Sequence, residues 1–133
     1  MKKDDAPVLI SACLAGYACR YDGRAKTCPE LQRLVQIGRA IPFCPETSGG
    51  LPTPRLPAEI QNGTGIDVLA NKRRVTDAAG RDVTAAYIRG AELGLELAQR
   101  LGVRLAVLKD KSPACGVNMI YDGSFGRTLR RGQ

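Results

Sequence analysis

The amino-acid sequence predicts a small α/β domain in three layers, with a parallel sheet of about three core strands and an added hairpin. Three apolar stretches of strand length lie at 7–12, 40–43 and 103–108. Two segments with helical periodicity, 29–37 and 82–101, separate them. Strands that alternate with helices form parallel sheets with right-handed crossovers. The expected architecture is therefore Rossmann-like.

The first half of the chain follows this pattern from local signals. The run Pro7–Ala12 is short and apolar, as expected for a buried strand. Pro29 suits the first turn of a helix, where no N–H partner is needed, and Gly38 ends that helix. Ala40–Phe43 is the second strand, and Pro42 inside it favours an edge position because proline cannot donate to a neighbouring strand.

The middle of the chain is interrupted by Pro and Gly. Residues 45–65 contain four of each and are expected to form a long loop. Ile66–Val75 is expected to be a hairpin around Asn71-Lys72. Asp82 is expected to cap a long helix that Gly102 ends. The apolar stripe predicted for that helix is Tyr87, Ala91, Leu95 and Ala98.

The last third adds the third strand, Val103–Leu108, and a terminal hairpin or short strand beginning at Asn118–Tyr121. Between them lies a loop that holds Pro113, Cys115 and Gly116. Pro restricts the backbone and removes a hydrogen-bond donor, whereas Gly allows backbone angles that other residues avoid. This loop is therefore expected to present the Cys115 thiol to a ligand rather than pack it in the core.

The composition limits the class of protein. The chain of 133 residues has 20 basic and 13 acidic residues, a net charge of +7. This excess is either a solvated surface or a basic rim that attracts an anionic substrate. With four Tyr, two Phe and no Trp, few rings could stack on bases, so nucleic-acid binding is possible but not favoured.

The sequence shows no run of ~18 apolar residues and no signal peptide. We therefore expect one domain over residues 1–133, located in the cytoplasm and without membrane contact.

Five cysteines and no histidine are the most informative feature of the composition. An odd count without a secretion signal disfavours a disulfide framework. The absence of His removes Cys–His nucleophilic catalysis and mixed Cys/His zinc sites. A metal bound here would be held by thiolates, which favour zinc, cuprous ions or iron–sulfur clusters.

Three of the cysteines follow the three predicted strands: Cys13, Cys44 and Cys115. The carboxyl ends of parallel strands meet at one edge of the sheet, where ligands bind, so these thiols are expected to converge. The alternative is that they are small buried hydrophobic residues. Cys19 and Cys28 are expected to be structural or incidental, and without a CxxC pair neither a zinc ribbon nor a thioredoxin motif is supported.

Three thiolates suit a 4Fe–4S cluster, which normally takes four cysteines, so one iron would lack a protein ligand. That iron could bind substrate as a Lewis acid. Glu46 and Ser112 would reach the same edge and could supply acid–base help there. Their alternative interpretations are a solvated loop carboxylate and a turn-forming hydroxyl.

Four ordered stretches carry a resemblance to a known family: "ISACLAGYACRYDG", "FCPETSGGLPTPRLPAEI", "GRDVTAAYIRGAE" and "LKDKSPACG…IYDGSF". They resemble the bacterial thiouracil desulfidase family. The resemblance implies a 4Fe–4S cluster on Cys13, Cys44 and Cys115, with its free iron taking sulfur from the substrate. It also implies that Glu46 and Ser112 are catalytic and contact the substrate.

The reaction that this resemblance implies is hydrolytic desulfuration of a thiolated pyrimidine, in which 2-thiouracil and water give uracil and hydrosulfide. Family members usually continue into a Gly-led C-terminal helix, which is not present in these 133 residues. Two other classes stay open. One is a structural zinc protein that recruits Cys19 or Cys28, and the other is an RNA-binding or RNA-modifying module that acts on thiolated tRNA.

Overall fold

The computed structural model describes residues 6–116 and 118–132. The elements, in order, are β1 Val8–Ser11, a 3-10 helix Ala12–Ala15, α1 Pro29–Gln36, β2 Ala40–Phe43, α2 Pro45–Ser48, β3 Ala58–Ile60, α3 Gly65–Leu69, β4 Val75–Asp77, α4 Thr84–Leu101, β5 Ala106–Val107, β6 Met119–Tyr121 and β7 Leu129–Arg131. Within the described ranges, every helix is too short or too polar to cross a lipid bilayer.

The central sheet has three parallel strands in the order β2–β1–β5. Val8 is opposite Ala40, and Leu9 is opposite Ala106. This confirms the predicted α/β fold and the edge position of the strand that contains Pro42. The third strand is shorter than predicted, because only Ala106–Val107 pair with β1 in the regular ladder.

Helices cover both faces of this sheet. On one face, Ile10 and Ala40 are buried under three aliphatic residues of α1, namely Leu31, Leu34 and Val35. On the other face, α4 lies so close to β2 that a Cβ on Gly94 would be 3.0 Å from the ring of Phe43. The expected three-layer arrangement is therefore present.

The predicted apolar stripe of α4 is wrong at Ala91 and Leu95. Ala91 is exposed and Leu95 keeps 61% of its surface exposed. The buried face instead carries Thr84, Tyr87 and Gly90. A Cβ on Gly90 would be only 2.0 Å from the Pro45 carbonyl oxygen, so backbone contact with α2, rather than large apolar side chains, defines this face. The N-cap position is Val83, one residue later than predicted, but the Asp82 carboxylate accepts the N–H of Thr84 at 2.9 Å and so still serves the first turn of the helix.

The prediction of one long loop over 45–65 is also wrong, because α2 and β3 lie within it. The hairpin predicted over 66–75 is replaced by α3, which is followed by β4. The Thr64 side chain and the Asp67 carboxylate form a reciprocal capping box, which starts α3 at Gly65. β4 then pairs antiparallel with β3.

A second buried cluster lies outside the parallel sheet and contains Ile60, Val68, Val75, Tyr87 and Ile120. It joins the β3–β4 pair to α4 and to the terminal hairpin. That hairpin, β6–β7, was predicted and is confirmed. Within residues 6–116 and 118–132 the buried hydrophobic residues therefore form two clusters, one on the parallel sheet and one outside it.

Candidate functional site

Each of three cysteines is positioned by the end of a different parallel strand. Cys13 lies in the 3-10 helix directly after β1, and Cys44 is the N-cap residue of α2 directly after β2. Cys115 lies in the loop that follows β5. That loop is tied to the sheet because the Lys109 N–H donates to Ser11 Oγ at 2.8 Å.

These side chains share one cavity of about 460 Å³ with Glu46 and Ser112, so the structure brings all five residues of the predicted site together. The remaining lining residues are Ser11, Ala12, Cys19, Arg20, Tyr21, Lys26, Phe43, Pro45, Pro57, Ala58, Glu59, Lys109, Asp110, Lys111, Pro113, Tyr121, Phe125 and Arg127. Five of these are basic, which places positive charge around the cavity.

Without a bound cation, the environments of Cys13 and Cys115 favour the neutral thiol. Burial raises the pKa of Cys115 to about 12, and the negative charge of Glu46 adds to the effect. Burial also raises the pKa of Cys13, although the nearby Arg20 opposes that shift. A metal that binds these sulfurs would supply the positive charge that keeps them deprotonated.

Cys19 was expected to be structural or incidental, yet it lines the same cavity. The Cys44 thiol lies 3.9 Å from the Cys19 carbonyl oxygen. Burial, followed by interaction with Cys44, raises the pKa of the Cys19 thiol to about 12. Cys28 is different: its thiol donates to the Glu30 carboxylate at 3.2 Å, and it does not line the cavity.

Glu46 lies in α2, and both of its carboxylate oxygens are engaged. The Tyr87 hydroxyl donates to Oε1, and Arg55 Nη2 is 3.5 Å from Oε2. The side chains of Arg55 and Glu46 are 6% and 15% exposed, so this ion pair is sheltered from solvent. Arg55 Nη2 also donates to the Cys19 carbonyl at 3.0 Å, which links the carboxylate to the first cysteine loop.

The Tyr87 hydroxyl remains protonated and can therefore keep donating its hydrogen bond to Glu46. Burial, together with the adjacent negative charge of Glu46, raises the pKa of Tyr87 far above its ordinary value. Its hydroxyl therefore stays protonated throughout the neutral range. Sequence reasoning assigned Tyr87 only to an apolar stripe and missed Arg55, because both reach Glu46 through tertiary contacts that no local pattern indicates.

Ser112 has two geometric roles. Its Oγ accepts the backbone N–H groups of Ala114 and Cys115, each at 3.2 Å, so it shapes the turn that carries Cys115. This matches the turn-forming interpretation. Ser112 also lines the cavity, and in the described part of the chain its hydroxyl hydrogen has no acceptor. That hydrogen remains free to donate to a ligand.

The cavity offers thiol side chains, which are the usual ligands of iron–sulfur clusters. Among residues 6–116 and 118–132, no three His, Cys, Asp or Glu side chains converge as ligands of one metal ion. In a 4Fe–4S cluster each cysteine thiolate binds a different iron, so the cysteine sulfurs are farther apart than the ligands of a single metal ion. Thiols on three separate loops around one cavity are compatible with such a cluster.

Comparison with known proteins agrees with this geometry. A family model described as 2-thiouracil desulfurase matches residues 8–133. Uncharacterized protein YbbK of Bacillus subtilis (strain 168) is 42% identical over 118 residues, which cover 89% of this chain and 78% of that protein. A solved structure, the 4Fe-4S-dependent thiouracil desulfidase TudS, superimposes with a TM-score of 0.82 at 44% identity. That match covers 96% of this chain and 79% of the TudS chain. The chain belongs to the 2-thiouracil desulfurase family.

Proposed function

We propose that this protein removes sulfur hydrolytically from a thiolated pyrimidine such as 2-thiouracil. The carbon–sulfur bond breaks, the oxygen of water takes its place on the ring, and the products are uracil and hydrosulfide with one proton. No net oxidation or reduction occurs. The observation that carries the proposal is that three strand-end thiols and a sheltered carboxylate line one cavity in a member of this family.

We assign Cys13, Cys44 and Cys115 as the ligands of a 4Fe–4S cluster, one iron of which has no protein ligand. Support comes from the all-cysteine donor set on one cavity and from the 4Fe-4S dependence of TudS. When bound, the cluster supplies a Lewis-acid iron for the soft sulfur of the substrate, which draws electrons from the ring carbon. A thiolate-bound cluster is compatible with the reducing conditions of the cytoplasm, where we place the protein.

Glu46 is assigned as the group that moves the proton. Its carboxylate accepts the proton of the attacking water and returns it to the ring or to the departing sulfur. The hydrogen bond from Tyr87 and the ion pair with Arg55 hold the two oxygens in one orientation. Such fixed orientation matters because small displacements of a catalytic group reduce the rate strongly.

Ser112 is assigned to substrate orientation. Its Oγ is fixed by two backbone N–H groups, and its free hydrogen can donate to a carbonyl oxygen or ring nitrogen of the pyrimidine. Because the same oxygen shapes the turn of Cys115, loss of the hydroxyl would affect both substrate binding and cluster retention.

The cavity also bears on the substrate class. Arg20, Lys26, Lys109, Lys111 and Arg127 line it, which supports either a thiolated base or the same base with an anionic group such as phosphate. A structural zinc site is not favoured, because the matching family model is that of a 2-thiouracil desulfurase and the similar TudS structure is 4Fe-4S-dependent. An RNA-acting module is distinguished by its salt dependence, considered below.

The proposal is tested with anaerobically purified protein. We expect a brown protein that contains iron and acid-labile sulfide and converts 2-thiouracil to equal amounts of uracil and sulfide. Cys13→Ser, Cys44→Ser and Cys115→Ser should each lose the iron, whereas Cys28→Ser, which changes a thiol outside the cavity, should retain it. A colourless protein with stoichiometric zinc after anaerobic reconstitution would contradict the assignment.

A further inference from the structure

One part of the cavity wall has no role in the chemistry above: the turn between β6 and β7. Phe125 of this turn lines the cavity and keeps 36% of its surface exposed. Its backbone φ is 59° and that of Arg127 is 62°, both in the left-handed region that bulky side chains rarely adopt. Such conformations persist only where the surrounding structure imposes them, and they concentrate at ligand clamps.

The surrounding structure that imposes this conformation is a buried carboxylate. Glu59 on β3 is only 7% exposed, and its Oε1 accepts the N–H of Gly123 at 3.0 Å and the N–H of Phe125 at 3.3 Å. Gly123 has a φ of 97°, and a Cβ there would lie 2.8 Å from the Ile60 carbonyl oxygen. Glu59 and the close approach at Gly123 therefore hold the turn against β3.

The chain has only two Phe residues, and both line the cavity. The ring of Phe43 already packs against α4 at Gly94. Phe125 is instead partly exposed at the cavity, and the two hydrogen bonds to Glu59 fix the backbone at Gly123 and at Phe125 itself. A flat apolar ring that an anchored turn carries at a polar cavity offers a stacking surface for a planar heterocycle.

The geometry points to Phe125 as a specificity-determining residue that stacks on the pyrimidine ring of the substrate, with Glu59 as the positioning residue that fixes the Phe125 turn. This inference rests on the proposed function for the identity of the ring. It assigns recognition of the pyrimidine to a part of the chain that contributes no thiol and no proton-transfer group.

Binding is tested with uracil on the anaerobic, cluster-loaded protein, since uracil contains no sulfur and is not consumed. Phe125→Ala should raise the Kd for uracil roughly five- to hundredfold, the usual range for loss of one stacking ring, and Phe125→Tyr should leave it nearly unchanged. Leu129→Ala is the matched control, because Leu129 lies in the same hairpin, is 37% exposed and does not line the cavity. An unchanged Kd in Phe125→Ala would overturn the inference.

A direct reporter of stacking is available because the chain contains no Trp. In Phe125→Trp the single indole should be quenched by uracil, with a midpoint that matches the Kd from calorimetry. Calorimetric saturation without any change in indole fluorescence would show that the ring does not contact the ligand, and would overturn the inference independently of folding.

The positioning role of Glu59 is tested with a conservative pair. Glu59→Gln keeps an oxygen acceptor for the two N–H groups and should retain wild-type affinity, whereas Glu59→Ala should weaken uracil binding as Phe125→Ala does. The effect should fall on KM rather than on kcat for 2-thiouracil. If Glu59→Ala fails to fold, the Phe125 variants still decide the inference; if Glu59→Ala folds and binds normally, the positioning role is wrong.

Failure of this inference differs from failure of the proposed function. If the wild type releases sulfide from 2-thiouracil while Phe125→Ala keeps its Kd and KM, only the stacking role is wrong. If the wild type releases no sulfide but binds uracil in a Phe125-dependent manner, the desulfuration is wrong and the stacking surface stands.

Discussion

At the residue scale, the carboxylate of Glu46 separates chemistry from metal binding. Glu46→Gln keeps the shape of the side chain but removes its ability to carry a proton. We expect iron content to be unchanged and single-turnover sulfide release, normalised to iron, to fall by a factor on the order of 10² or more. Glu92→Gln, on the exposed face of α4, is the control. Wild-type turnover in Glu46→Gln would leave the proposed mechanism without its base.

The position of Cys19 beside Cys44 leads to a second prediction. Cys19→Ser should retain iron and rate, because this thiol is not assigned as a ligand. In cluster-free wild type exposed to air, dioxygen should oxidise the two neighbouring thiols to a Cys19–Cys44 disulfide, detected by peptide mass spectrometry. Cys19→Ser should lack that cross-link. If Cys19→Ser loses iron as completely as Cys115→Ser does, the ligand set is assigned wrongly.

Single residues also show how far the sequence could be interpreted. The sequence alone predicted that three cysteines lie close together: Cys13, Cys44 and Cys115. Each of them follows a strand, and the carboxyl ends of parallel strands lie at the same edge of the sheet. Cys19 lies in the middle of a loop, where the sequence has no helical or strand periodicity. Its position next to Cys44 could therefore not be predicted. The contact of Glu46 with Tyr87 depends on the packing of α2 against α4, and its contact with Arg55 depends on the path of the loop between α2 and β3; local propensity encodes neither.

At the element scale, the crossing of α2 and α4 supports the site. Gly90→Ala would add a Cβ at 2.0 Å from the Pro45 carbonyl oxygen, so α2 must move away from α4. We expect a loss of about 1–3 kcal/mol in the free energy of unfolding, as for other overpacked contacts. Iron content should fall as well, because Pro45 lies between Cys44 and Glu46.

Thermal unfolding and iron analysis of the same preparations check this prediction. Leu95→Ala, also on α4 but 61% exposed, serves as the control and should change neither quantity much. A Gly90→Ala protein with wild-type stability and iron content would mean that the α2–α4 contact relaxes without consequence for the site.

The same elements explain where sequence-based prediction failed. α1 was predicted correctly because Pro29 starts it and aliphatic side chains give it a clear apolar face. α4 was predicted as a helix with Tyr87 correctly on its buried face, but Ala91 and Leu95 were placed there wrongly because the close contacts of α4 are made at Gly90 and Gly94. In the segment that follows Thr64, apolar residues indicated strands, but the capping box with Asp67 determined a helix.

At the scale of the whole molecule, the net charge of +7 distinguishes two kinds of substrate. A neutral base such as 2-thiouracil makes no phosphate contacts, so kcat/KM should change less than about twofold between low and moderate potassium chloride concentrations. An RNA-acting protein would lose binding by orders of magnitude over the same range. Assays of sulfide release across a salt series, with thiolated tRNA in parallel, provide the measurement. A steep fall with salt would favour the RNA alternative.

The origin of the three strand-end thiols from distant parts of the chain has a consequence for how the protein matures in the cell. Cys115 follows β5, so the three sulfurs come together only after this last strand of the parallel sheet has paired with β1. A nascent chain that has not yet emerged beyond this strand has two of the three and cannot hold the cluster assigned here. For the ligand set proposed here, we therefore expect cluster insertion to follow the pairing of β5 with β1.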